Sequence, residues 1–293
     1  MKHWISAARP RTLPLAMASI LMGSFLAAVN NQFSWLIFSL CSLTTISLQI
    51  LSNFANDYGD TQNGADLAGR VGPQRAVQSG EITPQQMLKG IYLFIGLSLL
   101  FGIWLLYIAL HEASSSQFFG FLGLGVLCII AAYTYTAGKK PYGYAGLGDI
   151  SVFIFFGLVG VLGTNYLYTK TFEWHNILPA MACGFFATGV LNINNIRDIE
   201  SDTRAGKKTI PARMGRKLAV NYHFFLLAAG MLSIVAYSFL AEKTQFYYLI
   251  SFPLFFINGY KVAKLPNPDA MLKQMALSSL FFVIVFGVTQ VFL

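Results

Sequence analysis

Asn194-Asn195-Ile196-Arg197-Asp198-Ile199-Glu200-Ser201-Asp202 closes an apolar run that begins near Ile177. A membrane-length helix therefore delivers acids to the edge of a bilayer. Asn194, Asp198 and Asp202 recur at i, i+4 and i+8, which puts them on one helical stripe. Three oxygen-bearing side chains on one stripe make half of a site for a hard cation. The other half is earlier in the chain, where Asn53-Phe54-Ala55-Asn56-Asp57-Tyr58-Gly59-Asp60 closes another apolar run with Asn53, Asp57 and Asp60 at i, i+4 and i+7. Two acid-tipped helices facing one another are the expected centre of the protein.

Composition agrees with that reading. The 293 residues are 55% hydrophobic and only 11% charged, against roughly 25% charged in an ordinary soluble domain. Long apolar runs in such a chain predict one all-α domain, residues 1–293, built as a multi-span membrane bundle. Nine apolar segments can be drawn, at about 13–30, 34–56, 86–110, 117–136, 147–168, 176–196, 218–240, 245–262 and 274–292. The first is too long for a typical signal-peptide core and reads as a retained span. Pro253 and Asn258 interrupt the eighth.

Nine crossings sort the charges. Of the 20 Lys and Arg residues, 18 fall on one side and only Lys170 and Lys243 on the other. That asymmetry places the loaded side in the cytoplasm and the C-terminus outside, and it accounts for the basic excess without nucleic acid. Nine of the twelve acids share the loaded side, among them Asp66, Asp149 and Asp269. Acids and bases gathered at one mouth of a bundle predict a polar cavity open to the cytoplasm. Cys41, Cys128 and Cys183 lie within apolar runs, and the four histidines show no ligand spacing, so both sets read as structural.

The connections after segments 2 and 6 are the long ones, and they resemble each other. Asp66-Leu67-Ala68-Gly69-Arg70 with Pro73-Gln74-Arg75 parallels Asp202-Thr203-Arg204-Ala205-Gly206-Lys207 with Pro211-Ala212-Arg213. The pattern suggests an internal repeat with segments 2 and 6 in equivalent places. Carboxylates so close to hydrocarbon are costly and mark function by default. Mg²⁺ binds through one or two carboxylates plus substrate phosphates, so a diphosphate held between two acidic helices fits the charges. Arg75, Lys140 and Lys207 are the cations expected on the remaining phosphate oxygens. A phosphate-grasping mouth over a greasy interior suits a diphosphate head with a long hydrocarbon tail.

With these motifs in view, the chain resembles the intramembrane aromatic prenyltransferases of the UbiA superfamily. Asn53-xxx-Asp57-xx-Asp60 and Asn194-xxx-Asp198-xxx-Asp202 look like the two Asp-rich motifs of that family. Arg9-Pro10-Arg11-Thr12-Leu13-Pro14-Leu15-Ala16, Leu51 to Asp60, Lys140-Pro141-Tyr142-Gly143-Tyr144 through Asp149, and Leu191 to Asp198 are similar to the branch that prenylates 1,4-dihydroxy-2-naphthoate. The resemblance implies a nine-helix UbiA-like bundle in a bacterial inner membrane, with Mg²⁺ as cofactor and polyprenyl diphosphate and 1,4-dihydroxy-2-naphthoate as partners. It implies metal binding by Asn53, Asp57, Asp60, Asn194, Asp198 and Asp202, and diphosphate binding by Arg75, Lys140 and Lys207. Arg11, Tyr135 and Asp149 are implied positioners of the acceptor. Gly64 stands where the broader superfamily has an acid, with Asp66 two residues later. Another acceptor, such as 4-hydroxybenzoate or homogentisate, is the alternative within enzymes. A transporter is the alternative outside them, although its essential acids belong near the midplane rather than at one surface.

Overall fold

A computed structural model describes residues 1–64, 74–242 and 245–293. Among them there are helices and no strands. A short α1 (Lys2–Ala8) and a 3₁₀ turn (Pro10–Thr12) lead into α2 (Leu13–Val29), followed by α3 (Trp35–Gln62), α4 (Pro84–Leu110) and α5 (Ser115–Thr134). The next rod is composite, with α6 (Gly148–Val152) and α7 (Thr164–Thr169) flanking a π-helical stretch, Phe153–Gly163. Then come α8 (Ile177–Arg197), α9 (Ile199–Arg204), α10 (Ile210–Leu240), α11 (Phe252–Lys264) and α12 (Asp269–Phe292).

Local chemistry starts these helices where the apolar runs begin. Thr83 and Gln86 form a reciprocal capping box at α4, and Ser114 and Gln117 form another at α5. Thr209 caps α10 through the Ala212 N–H, with a proline in the first turn. Among the described residues, eight helices, counting composite rods, are long and apolar enough to cross a membrane. The expected eighth segment, 245–262, is built differently. A 3₁₀ turn, Tyr247–Ser251, runs into the 13-residue α11, and this pair is not among the eight.

Two other boundaries differ from expectation. Helix α3 runs on to Gln62, so the whole first motif is helical. The second motif is not one helix, because α8 stops at Arg197 and Asp198 (φ −99°, ψ 13°) forms a joint before α9. The stripe survives the joint, since Asp198 N–H bonds Asn194 O at 3.1 Å and Asp202 N–H bonds Asp198 O at 2.8 Å.

Helix α8 is the central post. It packs on α10, on the π-helical stretch and on α12, while α2 packs on α12, α3 and the π-helical stretch. Phe186 of α8 stacks on Phe255 of α11 at 4.1 Å between centroids and meets Phe282 of α12 edge-on. Helix α8 approaches the π-helical stretch closely through glycines. A Cβ on Gly157 would lie 2.7 Å from Ala180 O, so only hydrogen fits there. Helix α5 is the exception, packing on α3 and α4 with no residue buried.

The connections carrying most of the charge meet at one end of the bundle. Asn53 Nδ2 donates to Ala8 O at 2.9 Å and to Thr12 Oγ1 at 3.2 Å, tying the N-terminal turn to α3. The Lys208 N–H bonds Tyr144 O at 2.9 Å, joining the connection before α10 to the one before α6. Arg197 and Arg11 both reach Asp269 at the start of α12. Thr136 donates to Ala55 O and to Asn56 Oδ1, seating the α5–α6 connection on α3.

That seat depends on Gly59. A Cβ there would lie 2.4 Å from Thr136 O, closer than any real side chain sits. Gly59→Ala should therefore destabilise the protein by about 1–3 kcal/mol, the usual cost of overpacking. Gly123→Ala, on open α5 surface with nothing within 4 Å, should be neutral or mildly stabilising. Thermal unfolding in detergent compares the two, and equal midpoints would refute the close approach.

Candidate active site

At the charged end the bundle opens into a cavity of about 440 Å³. Its mouth is polar, with Asn53, Asn56 and Asp60 from α3, Asn194 and Asn195 from α8, Asp198 from the joint that follows, and Asp202 from α9. Its depth is apolar, running between Leu48, Leu99, Ile129 and Phe156 to a floor of Ile20, Cys41, Leu105, Leu106 and Leu167. The floor residues belong to one packed hydrophobic cluster. From Asp60 to Cys41 the cavity follows α3 for 19 residues, or about 28 Å of helix.

The two motifs meet through a lysine. Lys207 Nζ lies 2.9 Å from Asp60 Oδ1 and 3.7 Å from Asp202 Oδ1, and 4.6 Å above the centre of the Tyr144 ring. The Tyr144 hydroxyl donates to the same Asp60 Oδ1 at 2.8 Å. Arg75 NH2 pairs with Asp60 Oδ2 at 2.7 Å. The Asp60 side chain is only 4% exposed, so it depends on these partners for compensation. A second cluster lies beside it. Arg197, 1% exposed, bonds both oxygens of Asp198, Asn194 Oδ1 at 2.8 Å, and Asp269.

Most of the expected residues converge. Asn53, Asp60, Arg75, Asn194, Asp198, Asp202 and Lys207 line the mouth, with Arg11 and Tyr135 beside them. Tyr135 stays a neutral phenol, because burial and then the negative charge of Asp149 push its pKa above the ordinary value.

Three expected site residues are placed elsewhere. Asp57 is buried away from the cavity, its Oδ2 accepting from Ala76 N–H at 3.2 Å and its Oδ1 from Val77 N–H at 3.3 Å. It pins the segment that carries Arg75. Lys140 is exposed and lines no part of the cavity, because the loop turns its side chain outward. Asp149 is buried behind the wall, accepting a hydrogen bond from Tyr222 at 3.3 Å. Asp66 lies outside the described residues.

Other residues stand at the mouth. Asn56 stands on the cavity face where Asp57 was expected, since consecutive helical positions diverge by about 100°. Arg9 and Thr209 line the mouth, and Tyr144 bonds its central acid. Arg197 was legible only as a topological charge, although its place inside the second motif was the available signal.

The donor set suits magnesium. Among the described residues no three acids, histidines or cysteines converge into a complete metal cage. Asp60 and Asp202 nevertheless hold one ammonium between them, which shows that a cation fits there among hard oxygen donors. Mg²⁺ typically takes only one or two protein carboxylates and completes its shell with water and substrate phosphate.

The UbiA prenyltransferase family profile matches residues 16–285. The chain belongs to the UbiA prenyltransferase family. It is 46% identical over 294 residues to a 1,4-dihydroxy-2-naphthoate octaprenyltransferase of Haemophilus influenzae, covering 98% of this chain and 95% of that one. It is 42% identical over 290 residues to the Escherichia coli protein of the same description, covering 96% and 94%. The fold matches a UbiA homolog from Archaeoglobus fulgidus bound to GPP and Mg²⁺, with a TM-score of 0.67 at 16% identity over 99% of this chain and 100% of that one. These helices make this UbiA-family chain a multi-pass membrane protein.

Asp57 provides a test of this assignment of roles. Removing its carboxylate in Asp57→Ala leaves two buried N–H groups unpaired, at a cost of roughly 1–3 kcal/mol. Trypsin should then cut after Arg75 at least about fivefold faster, the rate equivalent of the lower end of that cost at about 1.4 kcal/mol per factor of ten. Unchanged cleavage would place Asp57 in some other role.

Proposed function

We propose that this chain transfers a polyprenyl group from polyprenyl diphosphate to 1,4-dihydroxy-2-naphthoate, releasing CO₂ and diphosphate. The product is the demethylmenaquinone skeleton at the quinol level, which places the chain in menaquinone biosynthesis. The observation that carries this is the meeting of Asp60 and Asp202 around one cation at the mouth of a deep apolar cavity. The naphthoate-prenylating relatives support the choice of acceptor.

Asn53, Asp60, Asn194, Asp198 and Asp202 are the residues assigned to Mg²⁺, directly or through water. When bound, the metal neutralises negative charge that builds on the departing diphosphate. Arg75 and Lys207 contribute to the same end, turning from Asp60 toward phosphate oxygens. The allylic C–O bond breaks with its electron pair leaving on the diphosphate. The ring carbon bearing the carboxylate then forms the new C–C bond. Loss of that carboxylate as CO₂ returns an electron pair to the ring, so decarboxylative substitution requires no side chain to accept a ring proton. Arg11 and Tyr135 are assigned to the acceptor, the former as a cation for its carboxylate and the latter as a neutral donor.

The tail lies in the apolar depth, where Ile20, Leu105, Leu106 and Leu167 exclude water. The basic bias of 18 residues to 2 supports a mouth facing the cytoplasm of a bacterial inner membrane. On this reading the turn at Tyr247–Ser251 and α11 together supply a ninth crossing, with the C-terminus outside.

Product mass analysis with mixed acceptors tests the proposal. Naphthoate prenylation should dominate over 4-hydroxybenzoate and homogentisate, and a preference for hydroxybenzoate would overturn the acceptor. Asp60→Asn or Asp202→Asn should lower turnover roughly a hundredfold or more. Chelation should abolish activity and Mg²⁺ restore it, whereas unchanged activity in excess chelator would contradict the metal assignment.

A further inference from the structure

Resting on that prenyl-transfer reading, we propose that Lys207 is the protein's own occupant of the metal position. Together with Arg75 and Tyr144 it forms a cage around Asp60 that makes metal and diphosphate bind as a unit, each poorly without the other. Tyr144 is then a positioning residue for Lys207 and Asp60.

The cage has a specific geometry. Asp60 Oδ1 accepts from the Lys207 ammonium at 2.9 Å and the Tyr144 hydroxyl at 2.8 Å, while Oδ2 is held by Arg75 at 2.7 Å. A carboxylate offers about four lone-pair sites, so three donors leave it little capacity for an inner-sphere ion. Two of those donors are cations that already compensate its charge. The Lys207 ammonium is also within 3.7 Å of Asp202 and sits over the Tyr144 ring, which favours a cation at that point. Its backbone is fixed by the Lys207 N–H bond to Asp202 O at 2.9 Å. Only the flexible side chain has to move when the ammonium leaves Asp60.

Charge balance then dictates the coupling. A metal arriving alone on the carboxylates of Asp60 and Asp202 displaces Lys207 from both and gives its ammonium no anion in return. Diphosphate arriving alone brings several negative charges against Asp60, Asp198 and Asp202. Together the two exchange partners without stranding a charge, the metal on the carboxylates and the two basic side chains on phosphate. The coupling is reciprocal, since each ligand must raise the other's affinity by the same factor. The cage also explains how the bundle tolerates a carboxylate so near hydrocarbon, where an uncompensated buried charge is strongly destabilising.

A purely structural Lys207, serving to fasten the α9–α10 connection to α3, predicts something different. The two are separated by equilibrium dialysis of Mn²⁺ against the full-length protein in detergent, with and without inorganic pyrophosphate as the probe. In wild type, pyrophosphate should raise Mn²⁺ affinity at least a hundredfold. Lys207→Met should bind Mn²⁺ alone about tenfold more tightly than wild type, while the pyrophosphate enhancement falls about tenfold or more. Tyr144→Phe, which keeps both cations and the ring, should shift both quantities the same way by a smaller factor. Weaker binding of Mn²⁺ alone in both variants, with the enhancement intact, would overturn the cage. Wild-type protein that binds no Mn²⁺ even with pyrophosphate would instead sink the metal-dependent reading of the site.

Discussion

A carboxylate at the end of an apolar bundle must find a countercharge, and the ion pairs around Asp60 meet that constraint for the whole molecule. Because Lys207 comes from the connection between α9 and α10 while Asp60 ends α3, the pair fastens the two halves of the chain across the mouth. Arg197 does the same for the other half of the site, binding Asp198 to the start of α12. These pairs contribute little net stability as such, since desolvation offsets much of the attraction. What they provide is placement, with acids and bases from five separate connections held around one opening.

The cavity divides recognition into two kinds. At the mouth, charged groups discriminate strongly, because a ligand lacking the right anion cannot replace the ion pairs that its binding breaks. In the depth, Leu48, Leu99, Phe156 and their neighbours offer only dispersion and exclusion of water. Each methylene gained or lost there is worth about 1–3 kcal/mol at most. A site built this way is strict about the head of its substrate and permissive about the tail. Helix α5 lines one wall with partly buried side chains only, so that wall owes least to close packing.

Much of this was legible in the sequence because hydropathy and charge act over long windows. The apolar runs located nearly every long helix, and the acids at the ends of α3 and α8 marked the site. Rotation about a helix axis was harder to read. Asn53, Asp57 and Asp60 form an acceptable stripe, but so do Asn53, Asn56 and Asp60, and packing on α1, α4 and α5 decides which of them faces inward. Side-chain reach from loops was not legible either. Lys140 and Lys207 look alike as basic residues beside glycine-bearing turns, yet one faces outward and the other crosses to α3. The joint at Asp198 was hidden because its hydrogen bonds keep helical spacing while its backbone leaves the helix.

The central claim is that α3 and α9 present Asp60 and Asp202 to one shared cation. Anomalous diffraction from crystals grown with Mn²⁺ and inorganic pyrophosphate addresses it most directly. Manganese peaks should appear at the cavity mouth, bonded to pyrophosphate oxygens and in coordination range of both Asp60 and Asp202. Manganese held by one motif alone, or found outside the cavity, would contradict it.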